Sequence, residues 1–391
     1  MVLRQTSGSA TIGQVLSQNM MICIITLLCI GLFMVMNATA PRGGGFDTSS
    51  MFFTKQLTWD ILGIVCFVII FAYIPVKSMK KAAPYLGVVS VLLLLGVLFV
   101  GKEINGAVRW YRIGSISFQP SEMTKIFSLL FFSWYLERNK NNLNKWWNMI
   151  VAMSLILLTV GLIALEPDLG NAALLFCVLV SMLYIAGAKL SHLMTLMFLT
   201  LPGFCFILYN KFDHVKRRLE VYMDPSEHLQ DGFYQGHQAL IALGSGGVSG
   251  KGAGMGLQKL YYLPEAHNDF IFAIIGEDFG FLGCSFVVLL YAVLVWFAIQ
   301  ALVKSTDLFT LLVSYGITFI FAGQALFNIS VVTGVVPNKG ISLPLISYGG
   351  SNALFTLIGL AVLVKFTSSL PPDRPKELGA IRLNKPPKVL F

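Results

Sequence analysis

The sequence predicts an all-α polytopic membrane protein with about ten transmembrane helices, both termini cytoplasmic, and a large extracytoplasmic loop between helices 7 and 8. Three observations lead there. The 391 residues are 56% hydrophobic and only 12% charged, about half the charged share of an ordinary soluble domain. Apolar runs long enough to cross about 30 Å of hydrocarbon fall near 19–38, 58–76, 84–101, 121–136, 148–165, 169–187, 191–210, 270–300, 308–333 and 344–366. Lys and Arg lie between these runs with the bias that keeps positive loops in the cytoplasm. No linker or low-complexity tract divides the chain, so one transmembrane domain is expected over 19–366, including the loop 211–269, between cytoplasmic tails 1–18 and 367–391.

The first span follows a polar segment carrying Arg4 and ends in Asn37-Ala-Thr-Ala40, which resembles a signal-peptidase site. Its apolar stretch exceeds a usual signal-peptide core and Pro41 would follow the cut, so it is expected to stay as a span. The fourth span is short and contains Lys125. With the amino terminus inside, the even-numbered loops hold Lys77, Lys80, Lys81, Arg138, Lys140, Lys145, Lys189 and Lys304, and the short odd-numbered ones hold fewer cations, Arg42, Lys55, Lys102, Arg109, Arg112 and Lys339. The long loop carries its own basic residues, but long loops cross largely regardless of charge. The outer face then holds the segments 102–120, 166–168, 211–269 and 334–343.

Composition also excludes. The net charge of +9 is spread between apolar runs and forms no basic stripe with interleaved aromatics, so no nucleic acid is expected as a partner. The six cysteines lie inside apolar runs, where free Cys packs as a small apolar residue. Membrane lipids are the implied surroundings.

Charged residues at the hydrocarbon boundary cost a few kcal/mol unless paired or hydrated, so they mark function by default. Lys125 sits one turn inside the fourth span with Glu122 three residues before it, on one helical face. Two readings stand: an ion pair that lets Lys125 snorkel outward, or a cation facing a cavity and neutralising an anion. Upstream lie Arg109, Trp110 and Gln119, with Pro120 and Ser121 suited to a helix start. An interfacial anchor and a capped helix explain the Trp and Ser but not Arg109 and Gln119. Glu166 and Asp168 form a tight turn between the fifth and sixth spans, read either as a solvated hairpin with Asp168 capping the next helix or as a functional acid pair.

The long loop holds Lys216-Arg217-Arg218 and a Gly-rich stretch, Gly244–Gly252, containing Lys251. It fails the phosphate-loop pattern, because Ser245 stands where a glycine is needed and Gly252 replaces the Ser/Thr after the Lys. A weaker expectation remains, that its N–H groups and Lys251 help hold an anion. Asp269 stands where the loop re-enters the apolar run Phe270-Ile-Phe-Ala-Ile-Ile. Partial desolvation there raises a carboxyl toward the range useful for a general base, and a plain helix cap is chemically compatible with that role. Glu277 and Asp278 fall two turns deeper and are read as structural acids facing the bundle interior. The stretch Pro337 to Ser351, with Lys339 and Ser347, interrupts the ninth and tenth spans, which survives at membrane depth only where protein or a water-filled cavity satisfies the backbone.

The segments GAVRW, FQPSEMTK, EPDLGNA, LPEAHNDFIFAIIGEDFGFLG and PNKGISLPLISYGGS occur in the order of the SEDS family (shape, elongation, division and sporulation proteins), and the resemblance covers nearly the whole chain. Glu166, the Gln258-Lys259 pair and Asn338-Lys339-Gly340 resemble the division branch more than the elongation branch; Asn268 departs from the usual Thr. The resemblance implies a peptidoglycan glycosyltransferase that polymerises lipid II at the outer face of the bacterial cytoplasmic membrane, at the division septum, with a class B penicillin-binding protein and other divisome proteins. For that reaction Asp269 is expected as the catalytic base and Arg109, Lys125, Glu122, Gln119, Lys339, Arg217, Arg218 and Ser347 at the substrate, with Trp110, Glu166, Asp168 and His267 in support. No resident cofactor is implied. Diphosphate chemistry often recruits a divalent cation, Mg or Mn, but the outer acids have no spacing that declares a metal site. A lipid II flippase and a noncatalytic division scaffold are the competing classes; no inverted repeat relates the halves, and the polar residues cluster on one face instead of the midplane.

Overall fold

The computed structural model describes residues 11–39, 46–104, 107–114, 116–211, 213–224, 233–260, 262–264, 266–337 and 340–371. A helix occupies each apolar run: α1 (Ile12–Thr39), α2 (Phe46–Tyr73), α3 (Val76–Val100), α4 (Pro120–Asn139), α5 (Trp146–Leu165), α6 (Leu169–Ile185), α7 (Leu190–Lys211), α10 (Ile271–Val303), α11 (Leu308–Val332) and α12 (Gly350–Ser368). Two further helices, α8 (Asp213–Met223) and α9 (Tyr234–Gly246), lie within the segment 211–269. Among the described residues, seven helices are long and apolar enough to cross a membrane; the other three expected runs hold α4, with Glu122 and Lys125, the 17-residue α6, and α7.

Apolar side chains face both ways, as a bilayer requires. Leu27, Leu94, Leu129, Leu179 and Phe309 are buried in the bundle, whereas Ile22, Leu92, Phe198, Leu289 and Trp296 are exposed on its flanks. Lipid satisfies such outward residues without the penalty water would impose. The protein is an integral membrane protein.

Three boundaries differ from those read in the sequence. The segment 102–120 is not an irregular loop: it folds into an antiparallel sheet of β1 (Lys102–Ile104), β2 (Ala107–Ile113) and β3 (Ile116–Phe118), with Tyr111 opposite Phe118 and Arg112 opposite Ser117. The branched and aromatic residues of GAVRWYRI suit a strand, and the Tyr111 hydroxyl donates to the Leu93 carbonyl at 2.9 Å, fastening the sheet to α3. The last helix begins at Gly350, not near 344. The stretch before it is a buried irregular loop in which Gly340 and Leu345 both have φ of 65°. Asn328 donates to the Ile341 carbonyl at 2.8 Å and Tyr291 donates to the Pro344 carbonyl. Protein groups thus satisfy this backbone where water cannot.

The third difference is a bend in α10. Gly280 has φ 65° and ψ −161°, so the helix turns there; the segment Phe281–Val303 after it is about 35 Å long and can cross a bilayer unaided. A Cβ on Gly280 would run into the Gly250 nitrogen and the Val248 carbonyl. Gly280→Ala is therefore expected to destabilise the protein by about 1–3 kcal/mol from backbone strain alone, with the collision added. An unchanged melting temperature in detergent would show that the bend needs no glycine.

Candidate functional site

The site is built from the end of the bundle where α4, α6 and α12 begin and α5 and α11 end. Arg109, on β2, donates from Nε to the Glu166 carbonyl at 2.8 Å and from Nη2 to the Pro167 carbonyl at 2.9 Å. Both acceptors are neutral, so these bonds orient the guanidinium without cancelling its charge. The α5–α6 turn that supplies them also supplies Asp168, which caps α6 by accepting from the Asn171 N–H at 3.4 Å. Its other oxygen accepts from Gln119 Nε2 at 3.0 Å, Ser121 Oγ at 3.3 Å and Asn171 Nδ2 at 2.9 Å. Capping and site building coincide in this residue. Ser121 does not cap α4, whose N-cap is Gln119 followed by Pro120.

Glu122 and Lys125 form a buried pair, with Nζ 2.9 and 2.8 Å from the two carboxylate oxygens. Lys125 also donates to Asn171 Oδ1 at 3.2 Å, and Asn352 donates to Glu122 Oε2 at 3.1 Å. Lys125 is 2% exposed, so it does not snorkel to solvent. The ion pair is instead a joint between α4, α6 and α12.

Glu166 is the outlier. It is fully buried, and among the described residues neither carboxylate oxygen has a hydrogen-bond partner. Burial first, then the neighbouring Asp168 charge, push its carboxyl up to about 9, against a smaller lowering by Arg109. It is accordingly neutral at pH 7. A carboxyl raised in the folded state stabilises below its unfolded value near 4.5 and loses that contribution as pH climbs through about 9. Glu166→Gln is expected to lose less of its stability than the wild type as pH rises from 5 to 9. Parallel melting curves over the window would contradict the assignment.

Asp269 is half-buried at the start of the segment leading into α10. It is not that helix's cap; the N-cap is Phe270, without a side-chain bond. Asn328 Nδ2 fixes the Asp269 carbonyl at 2.8 Å while bonding Ile341, which ties the acid to the buried loop. Gly340 lies against the carboxylate, where a Cβ would sit 3.4 Å from Oδ2. The structure brings Arg109, Trp110, Gln119, Glu122, Asp168 and Asp269 together around one cavity of about 300 Å³.

Other expected residues stand elsewhere. Ser347 Oγ accepts from the Leu343 N–H at 2.8 Å and closes a turn of the loop; Tyr348 to Asn352 reach the cavity instead. His267 is buried, its ring tilted against those of Phe52 and Tyr348 at centroid distances of 4.8 and 5.4 Å, and its carbonyl accepts from the Tyr348 N–H. Arg217 is exposed on α8 and does not line the cavity; Lys339 and the Arg218 side chain lie outside the described residues. Sequence reasoning missed Asn171, although it lies within EPDLGNA, and Asn352, just past the segment ending at Ser351; it also missed Gln324, a single amide in an apolar helix, and Trp59, which resembles any interfacial aromatic.

The Gly-rich loop holds anions, but they are the chain's own. Lys251 pairs with Glu277 at 2.8 Å and Lys259 with Asp278 at 2.9 Å. The N–H groups of Gly256 and Leu257 donate to Asp278 and Glu277 at 2.8 Å each, and Asn37 also donates to Asp278. Asn37 is near the end of α1, so the acids lie at that end of the bundle and not two turns into it. The expectation that Lys251 serves an external anion is corrected by this pairing. Among the described residues, no three His, Cys, Asp or Glu side chains are grouped to hold a metal ion. Asp168 and Glu122 are already taken by protein donors, so they do not fit a resident metal.

A profile of the FtsW/RodA/SpoVE family, described as cell cycle protein, matches residues 17–370. The chain is 35% identical over 352 residues to the probable peptidoglycan glycosyltransferase FtsW of Hahella chejuensis, covering 88% of both. It is 34% identical to stage V sporulation protein E of Bacillus subtilis, over 89% of this chain and 96% of that protein. Among solved structures, it resembles a chain of a peptidoglycan synthase complex that coordinates polymerization and crosslinking, with TM-score 0.74, 26% identity, and 90% and 97% of the two chains covered. Rod shape determining protein RodA of Thermus thermophilus matches with TM-score 0.65 and 26% identity, over 89% and 95%.

Proposed function

Since the chain belongs to the FtsW/RodA/SpoVE family of cell cycle proteins, we propose that it is a peptidoglycan glycosyltransferase that polymerises lipid II at the outer face of the bacterial cytoplasmic membrane. The reading extends to synthesis at the division septum in complex with a class B penicillin-binding protein. The observation that carries it is the shared cavity: a carboxylate, Asp269, and an oriented cation, Arg109, face one polar space at the end of an apolar bundle.

Polymerisation needs three things there. Asp269 takes the proton from the acceptor sugar hydroxyl as that oxygen attacks the donor's anomeric carbon from the side opposite the leaving group. The bond from that carbon to the phosphate oxygen breaks with inversion, and the lipid diphosphate leaves with the electron pair. Arg109 stabilises the charge that develops on it, and a guanidinium held by two carbonyls does so without reorganising. Lys125 acts one step back: bonded to Glu122 and Asn171, it positions Glu122, which faces the cavity.

A second reading, transport of lipid II across the bilayer, draws support from the buried Glu122–Lys125 pair and the broken backbone before α12. Purified protein in liposomes, supplied with lipid II in one accessible leaflet, separates the two. The polymerase reading predicts glycan chains, stimulated by the partner. Loss of lipid II from that leaflet without any glycan would replace it with transport.

A further inference from the structure

Asp60 lies at the middle of α2, at the depth where Ile61, Leu62, Ile64 and Val65 are exposed on the flank of the bundle. It is itself 2% exposed, and none of the ion pairs among the described residues includes it. An acid kept at membrane depth without a counter-charge marks function by default. The partner it does have is Gln56, one turn earlier on the same face, whose Nε2 donates to Oδ1 at 3.0 Å. Gln56 is also 2% exposed. From Ser50 onward, only Gln56, Asp60 and Gly63 of α2 are buried. The seam by which this apolar helix is most deeply buried is therefore polar.

The amide of Gln56 has two unlike ends, a donor and an acceptor. With Nε2 turned to Asp60, Oε1 faces Gly349 and accepts from its N–H at 3.2 Å. Gly349 is the N-cap of α12, so its N–H has no partner within that helix. The Trp59 indole lies against Gly350, where a Cβ would collide with it. The turn thus held from α2 carries polar groups of the cavity wall: Ser351 Oγ accepts from the Gln119 N–H at 3.1 Å, and Asn352 donates to Glu122 at 3.1 Å. Gly349 to Asn352 all line the 300 Å³ cavity that holds Asp269, and Asp60 does not. Building on the polymerase reading, we propose that Asp60 is a positioning residue for polymerisation: by fixing which end of Gln56 faces Gly349, it holds the first turn of α12 as the wall against which the lipid-linked sugar is set.

The test uses full-length purified protein in liposomes, with rates measured equally far below each variant's melting temperature. Asp60→Leu removes the acceptor, and kcat/KM for the lipid-linked disaccharide should fall about ten- to hundredfold, the scale of a misplacement of about 1 Å. Hydrogen exchange at the Gly349 amide should quicken about tenfold as its bond to Gln56 is lost. Asp60→Asn keeps an acceptor for Gln56 and should stay within about threefold of the wild type in both readouts. Because the two side chains act as one unit, Gln56→Met should lose as much as Asp60→Leu, and the double variant no more than either. An unchanged kcat/KM in Asp60→Leu would overturn the proposal, marking an acid that serves only the fold. Losses that multiply in the double variant would also overturn it, because Asp60 would then act without Gln56. So would an Asp60→Asn protein as impaired as Asp60→Leu, since the charge and not the hydrogen bond would then matter. If Asp60→Leu does not fold, Gln56→Met, which leaves the acid in place, decides: unchanged kcat/KM or unchanged exchange at Gly349 overturns the proposal. Wild-type protein that neither polymerises nor is stabilised by the substrate would remove the polymerase reading, and this one with it; the outcomes above remove this one alone.

Discussion

Asp269→Asn is expected to lower glycan polymerisation by about 10²–10⁴, the range a positioned general base contributes, without changing the melting temperature or the substrate's stabilisation of the protein. The side chain is half-buried and is not the cap of α10, while the backbone around it is held through Asn328. An amide of the same shape keeps that packing and cannot take a proton. Turnover and binding separate cleanly in this variant if the acid acts in the transition state alone. A parallel loss of affinity and stability would instead make Asp269 an architectural residue.

The second large effect is structural. Lys259 and Asp278 are 2% and 0% exposed at the side chain, and Lys259 Nζ reaches Asn37 at 2.8 Å as well. Breaking a buried ion pair by removing one partner costs about 3–5 kcal/mol, because the other charge is left in low dielectric. Lys259→Met is expected to destabilise by that amount, and Lys259→Met with Asp278→Leu to recover much of it. The cluster joins the end of α1, the loop 250–260 and the first segment of α10, which follows Asp269 directly. Polymerisation should therefore fall in the single variant at temperatures well below its melting point. A single variant as stable as the wild type would show that the amides of Gly254 and Gly256 suffice for Asp278.

The helices were legible because hydrocarbon thickness and apolar run length are the same quantity seen twice, and their boundaries were less so. Pro344 looked like the first residue of a span because the residues around it are apolar; the loop is apolar because it is buried among helices, a tertiary fact that run length does not encode. The sheet at 102–118 was hidden by its Gly and charged residues. Within the site, residues announced by charge at the hydrocarbon boundary, Arg109, Glu122, Asp168 and Asp269, do share the cavity. Lys251 misled because a cation beside glycines reads the same whether its anion is a ligand or Glu277, 26 residues away. Gln324 and Asn352 gave no signal, since one amide in an apolar run is unremarkable until its neighbours are known.

A structure of the Asp269→Asn protein with lipid-linked disaccharide bound tests the central claim most directly. The account predicts a sugar hydroxyl within hydrogen-bond reach, about 3 Å, of the substituted side chain, with the diphosphate beside Arg109. Sugar bound away from position 269, or a diphosphate on the far side of the bundle from Arg109, would contradict it.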